Sequence, residues 1–162
     1  MIASLAHRTY AADQWAISAN DGHTTTNAAG RMVTAEAVVP DSLSLIGFER
    51  DLPALGETIP LPASVEGPPT TAWIAPDSSW AMVTAGSHAG SHAGDPIIED
   101  DVVSVVAIDH AIPRLIQTEQ AGSGASQVSV SPDQKRGLVG IRKSGTVSVL
   151  AVECGRLRPI QT

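Results

Sequence analysis

One cysteine, few aromatic rings and no long apolar run set the first limits on this chain. Cys154 stands alone, so neither an intrachain disulfide nor a cysteine-built metal cluster can form. Phe, Trp and Tyr make up only 3 % of the residues, which leaves Trp73 and Trp80 with little aromatic company. No stretch approaches the roughly 18 apolar residues that a membrane-crossing helix needs, so no membrane span is expected. Cationic charge is scarce too: 10 Lys and Arg against 17 Asp and Glu give a formal charge of -7. Phosphate-backbone binding relies on clustered Lys and Arg to release counterions. Here Lys135, Arg136, Arg142, Lys143, Arg156 and Arg158 fall among strand-like residues, at intervals that suit a solvated sheet face. Nucleic acid is therefore not an expected partner.

What is present is a chain of 162 residues, 43 % hydrophobic and 17 % charged, the composition and length of a globular protein of one ordinary domain. At the N-terminus, Met1 to Ala6 is weakly apolar, and Thr9-Tyr10-Ala11-Ala12-Asp13-Gln14 resembles a small-residue cleavage site. A charged start and a full apolar stretch are missing. Residues 1–13 thus read as the stump of an export signal, which implies a periplasmic or secreted protein, or as a frayed terminus, which leaves a cytoplasmic one open.

Two kinds of segment recur. The first is an alternating strand with Ser at its fourth position: Asp41-Ser42-Leu43-Ser44-Leu45-Ile46, Asp101-Val102-Val103-Ser104-Val105-Val106 and Gly145-Thr146-Val147-Ser148-Val149-Leu150. Period-two alternation of this kind gives a strand two unlike faces. The second is a strand, a Pro-Asp turn and another strand, at Ala72 to Thr84 and again at Gln127 to Gly140. Pro presets the backbone angle of a turn and Asp bonds back to the chain, so each Pro-Asp joins its flanks into a hairpin. The spacing from Pro76 to Ser104 is 28 residues, and from Ser104 to Pro132 again 28, so the two segments alternate. A further extended piece follows each alternating strand: Gly56 to Leu61, Arg114 to Glu119 and Leu157 to Gln161.

A four-strand unit of about 40 to 45 residues is what a β-propeller blade requires. The expected architecture is all-β: a partial propeller of about three four-stranded antiparallel blades, at 14–66, 67–121 and 122–162, with the ring not closed by this chain alone. Blade one shows a second strand at Trp15 to Ala19, a third at Ser42 to Ile46 and an outer one at Gly56 to Leu61, but no visible inner strand. That makes about eleven strands in all. The near-duplicated tract Gly86-Ser87-His88-Ala89-Gly90-Ser91-His92-Ala93-Gly94-Asp95 reads as a loop insertion.

These residues resemble the bacterial propeller proteins of the YVTN-repeat type, which include the lactonase-like propellers. The resemblance rests on Ala16 to Gly22, Val39 to Ile46, Ala75-Pro76-Asp77, Asp101 to Asp109, Ser131-Pro132-Asp133 and Gly145 to Leu150, and covers nearly the whole chain after residue 14. It implies a ring of about seven blades, frequent export, and closure by strands from both chain ends in one blade. Against that pattern this chain reads as an N-terminal fragment, a truncated reading frame or a half that needs a partner. Bare blade faces at both ends then favour self-association or pairing with a second propeller half, and a well-behaved monomer is not expected.

In a propeller the loops from second to third strand share one face, which brings together Asn20 to Pro40 and Gly86 to Asp100. Together with Asp101, these loops supply the candidate ligand-binding residues His23, His88, His92, Asp95, Glu99, Asp100 and Asp101, imidazoles and carboxylates of a kind divalent metals accept. The Gly-rich tract has no reason to be helical, so the four-residue spacing of His88 and His92 does not specify a metal site, and neither metal nor cofactor is expected. His110 after Asp109 reads as a turn cap. Ser44, Ser104 and Ser148 recur by repeat and read as structural, and no Gly-x-Ser-x-Gly is present. Gly122-Ser123-Gly124 precedes a strand and reads as a blade-to-blade turn, while Trp73 and Trp80 suit packing between blades. Catalytic residues stay unassigned. Two functions are open: a binding or scaffold module, and a lactonase-like hydrolase that acts on a cyclic ester once the propeller is complete.

Overall fold

The computed structural model describes residues 14–49, 52–64 and 71–161; the expected signal remnant or frayed terminus at 1–13 lies outside them. The Pro-Asp segments fold as hairpins for the reasons their composition gives. At Pro76-Asp77 the turn closes through Ser78 N–H to Ala75 O at 2.8 Å, and Ser78 takes a positive φ of 57°. The Asp77 carboxylate accepts from Ser79 Oγ at 2.7 Å and from the Ser79 N–H at 3.1 Å. The second copy repeats this: Gln134 has φ of 55°, and Asp133 accepts from Ser131 Oγ at 2.6 Å and from the Lys135 N–H at 3.1 Å. Hydrogen bonds from Ser79 and Ser131, ahead of the backbone, hold the Asp77 and Asp133 carboxyls below the usual carboxylate range. Tight two-residue turns with both central residues at positive φ, His110-Ala111 and Cys154-Gly155, match the twist of paired strands.

Thirteen strands form among the described residues: β1 (Gln14–Asn20), β2 (Thr24–Thr26), β3 (Met32–Thr34), β4 (Ser42–Glu49), β5 (Leu52–Pro60), β6 (Ala72–Ile74), β7 (Trp80–His88), β8 (Ile98–Asp109), β9 (Ile112–Gln120), β10 (Ala125–Val130), β11 (Arg136–Ile141), β12 (Thr146–Glu153) and β13 (Arg156–Gln161). They pair antiparallel as β1-β4-β5, β6-β7-β8-β9 and β10-β11-β12-β13, with β2-β3 as a separate hairpin. No sheet closes on itself. The result is an open, propeller-like series of three blades, the first without an inner strand among the described residues.

Three details differ from the sequence expectation. The stretch from Gly86 to Asp100, expected as a loop, continues strand β7 as far as His88 and resumes as β8 at Ile98, because Ser87 and His88 pair with Glu99 and Ile98. The strand count is thirteen rather than eleven because Thr24-Thr25-Thr26 and Met32-Val33-Thr34 pair inside the loop of blade one. The outer strand of blade one starts at Leu52 rather than Gly56, because Glu49 to Ile46 continue the ladder opposite Leu52 to Leu55.

Strand alternation builds the core. On β7, Ala81 and Val83 join Leu43, Leu61, Ala63 and Val106 between blades one and two. Trp80 and Met82, one residue out of step, join Val103, Val105, Val128, Val139, Ile141 and Leu150 between blades two and three. Both faces of the middle blade are thus covered, and each fully buried aliphatic side chain contributes about 2 kcal/mol of transfer free energy. Trp73 and Trp80 do pack at the blade junction, with ring centroids 4.8 Å apart and planes tilted by 56°. Trp80 Nε1–H donates to Gln134 Oε1 at 3.0 Å, which ties the turn of blade three to blade two.

Candidate functional site

The two long second-to-third-strand loops lie side by side, as the topology requires. Residues Val33 and Pro96 form a β-bridge, Thr34 N–H donates to Asp95 O at 2.8 Å, and Gly94 N–H returns to Thr34 O at 2.9 Å. Gly90 N–H reaches Thr34 Oγ1 at 2.7 Å. A Cβ at Gly90 would meet Pro96 O at 2.8 Å, so the tract from blade two needs glycine where it crosses the loop of blade one. The Gly-Ser-His-Ala insertion is therefore fastened to its neighbour. The blade-to-blade turn Gly122-Ser123-Gly124 shares this face, with Gly124 N–H on Asp100 O at 2.7 Å.

On this face the candidate residues form separate local pairs. His23 is buried, 3 % exposed. Its Nδ1–H donates to Asp41 Oδ1 at 2.7 Å and lies 3.2 Å from Asp21 Oδ1. His88 closes strand β7, half exposed, with Nδ1 3.3 Å from Asp100 Oδ2. His92 is exposed, its Nδ1 3.4 Å from Asp95 Oδ2. Glu99 meets Lys143 Nζ at 2.7 Å and Ser123 Oγ at 3.0 Å. The Lys143 and Ser123 hydrogen bonds hold its carboxyl below the usual range. Asp100 and Asp101 line an open pocket of about 490 Å³ with Val102, Thr118, Glu119 and Gln120.

Among the described residues, the only group of three His, Cys, Asp or Glu side chains close enough to share an ion is Asp21, His23 and Asp41. Sequence reasoning singled out His23 but neither aspartate. The signal was there: Asp41 opens the alternating strand at the position Asp101 holds in blade two. Their oxygens are already committed. Asp21 Oδ1 accepts the N–H groups of His23 and Thr24, both at 3.0 Å, and Oδ2 accepts Thr24 Oγ1–H at 2.9 Å. Asp41 Oδ1 accepts Gly22 N–H at 2.9 Å besides the imidazole. The donors that converge here belong to the protein, and the group works as a clasp that closes the loop of blade one. His23 Nε2, buried and without a hydrogen-bond partner, faces away from that clasp chemistry.

His23 and His88 stand at the same residue count along successive blades, although β7 is shifted in register between Ala85 and Ser87 and β1 is not. Ser18 pairs with Ser44 and Val83 with Ser104, and each histidine stands five residues after the paired position. In blade two the imidazole is the last residue of β7, while in blade one it stands three residues beyond the end of β1; each has a carboxylate beside it. At the opposite end, His110 meets Asp109 at 2.6 Å in an exposed turn, the capping pair its sequence position suggested.

The chain can now be placed among known folds. It superposes on a crystal structure from Bacteroides fragilis NCTC 9343, provisionally named a 6-phosphogluconolactonase, with a TM-score of 0.58, 13 % identity and 85 % of this chain covered. The blades are propeller blades. A second protein with the same provisional name, from Bacteroides uniformis ATCC 8492, gives a TM-score of 0.37 at 13 % identity over 88 % of this chain. The chain spans 37 % of the first protein and 53 % of the second. No family profile matches the sequence, and no curated protein does. At this identity the likeness is one of fold.

Proposed function

We propose that these blades belong to a lactonase-like propeller of the YVTN-repeat type, whose assembled form hydrolyses a neutral cyclic ester on the loop face. The observation that carries this reading is the half-exposed His88–Asp100 pair on that face, in a fold that superposes on a provisionally named lactonase. Ester hydrolysis needs a positioned base that takes a proton from attacking water. Asp100 holds the Nδ1 side of the His88 ring, which leaves Nε2 to face a water molecule. Asp100, Asp101 and Glu119 surround the neighbouring pocket, and like-charge repulsion there disfavours a phosphorylated sugar lactone. A neutral lactone is the substrate class that suits this lining.

A second reading, a binding or scaffold module, has its own support. The loops are bonded to each other and their charged groups engaged locally, which gives a rigid face suited to docking. Proton release from a panel of neutral five- and six-membered lactones, followed by pH-stat on the native protein that contains this chain, separates the two. Hydrolysis above the buffer rate, reduced at least about 100-fold by His88→Ala, is expected. No release above buffer returns the function to binding.

A further inference from the structure

We infer that Ile98 forms an apolar wall beside the His88 imidazole, so that the lactone this face takes carries an alkyl substituent rather than being a bare ring. The inference rests on the reading of the His88–Asp100 face as a lactone site, and it concerns the part of the substrate that does not react.

Strand register puts the two side chains together. His88 is the last residue of β7 and pairs directly with Ile98, the first residue of β8. Residues directly opposite in an antiparallel pair project to the same side of the sheet, with Cβ atoms about 4.5 to 5.5 Å apart. Asp100 Oδ2 stands 3.3 Å from Nδ1 of the same imidazole, so a carboxylate and an aliphatic side chain share one ring. A bulge creates this arrangement. Ala85 pairs with Val102 and Ser87 with Glu99, which leaves Gly86 opposite both Asp100 and Asp101. In an unbroken register His88 would oppose Glu99, and Ile98 would fall on the other side of the sheet.

Exposure separates Ile98 from the aliphatic residues of the core. It is 48 % exposed, and the His88 side chain beside it 50 %. Single exposed aliphatic residues are ordinary on protein surfaces. What distinguishes this one is its direct pairing with an accessible imidazole. Both flanks of the segment are tied, Asp95 and Pro96 to Thr34 and Val33 of blade one, and Glu99 to Lys143 and Ser123 beyond blade two. Ile98 is therefore held in the open. An alkyl chain laid on it removes water from two apolar surfaces, whereas a polyhydroxylated chain there would give up hydrogen bonds to water.

The test titrates γ-butyrolactone and its γ-butyl derivative into the native protein that contains this chain, with the His88 Cε1–H signal in NMR as reporter and His88→Ala to assign it. Half-saturation by the butyl lactone is expected at a concentration at least about 10-fold lower than by the bare ring, because the added carbons bury apolar area. Ile98→Asn should bring the two within about 3-fold, while Ile98→Val, still aliphatic and branched, should keep most of the preference. Neither change at this exposed position should move the unfolding midpoint by more than about 2 °C. Ring opening is followed by pH-stat on parallel samples. A butyl preference that disappears in Ile98→Asn upholds the inference; if no ring opening accompanies it, the hydrolase reading alone falls. Equal half-saturation by the two lactones, or a preference that Ile98→Asn leaves intact, overturns the inference even where both are hydrolysed. No His88 shift with either lactone overturns the inference and the reading together.

Discussion

Blades one and two each carry a histidine five residues beyond the second-strand residue that pairs with the repeated serine, yet the two histidines have different surroundings. His23 is covered by a loop that folds into its own hairpin, β2-β3, and Asp21 and Asp41 meet its ring from both ends of that loop. His88 leads into a shorter connection and keeps a half-exposed side chain beside Asp100. Loop length decides the matter: a long connection has enough chain to cover the imidazole, and a short one passes over its neighbour instead. One blade uses the pair to hold its loop, and the other leaves it open to solvent.

The largest effect should come from His23→Ala. It leaves two carboxylates beside an empty, desolvated space and is expected to cost about 2 to 4 kcal/mol in urea unfolding, because uncompensated buried polar groups carry their full desolvation penalty. A loss below about 1 kcal/mol would break the comparison. Asp41→Asn keeps an acceptor for Gly22 N–H but weakens the bond to the imidazole, with an expected loss of about 1 to 2 kcal/mol by the same measurement. His88→Ala should change stability by no more than about 0.5 kcal/mol, since exposed ion pairs contribute little.

Zinc sharpens the contrast further. Because His88 and His92 are held by different carboxylates, calorimetric titration should give the same curve for the wild type and the His88→Ala, His92→Ala double variant. A lost binding phase would show that the two act together.

The smallest effect belongs to the exposed turns. Serine hydroxyls and backbone N–H groups favour the ionised forms of Asp77 and Asp133, so their folded-state pKa lies below that of the unfolded chain. The stability they contribute is present above the unfolded carboxylate range and is lost as pH falls through the folded value. Asp77→Ala with Asp133→Ala should therefore flatten the acid limb of the midpoint-against-pH curve and leave neutral-pH cooperativity intact. An unchanged acid limb would count against this origin.

The strand order of blades two and three, the Pro-Asp hairpins and the proximity of the long loops were legible in the sequence because they follow from local chemistry and period-two alternation. Trp73 and Trp80 were read correctly as inter-blade packing on similar grounds. The hairpin inside the loop of blade one was not legible, since two three-residue segments are too short to show a period. Nor was the pairing of the histidines, because Asp41 lies 18 residues from His23 along the chain.

By itself the sequence determined the repeat, and with it an all-β chain whose strands bear two unlike faces. Tertiary structure decided which faces are covered. Leu138 reads like Met82 in any pattern of alternation, and only the arrival of a neighbouring blade buries one and leaves the other exposed. It also decided that His23 would be sealed and His88 left accessible, because burial depends on what the rest of the chain brings over a side chain.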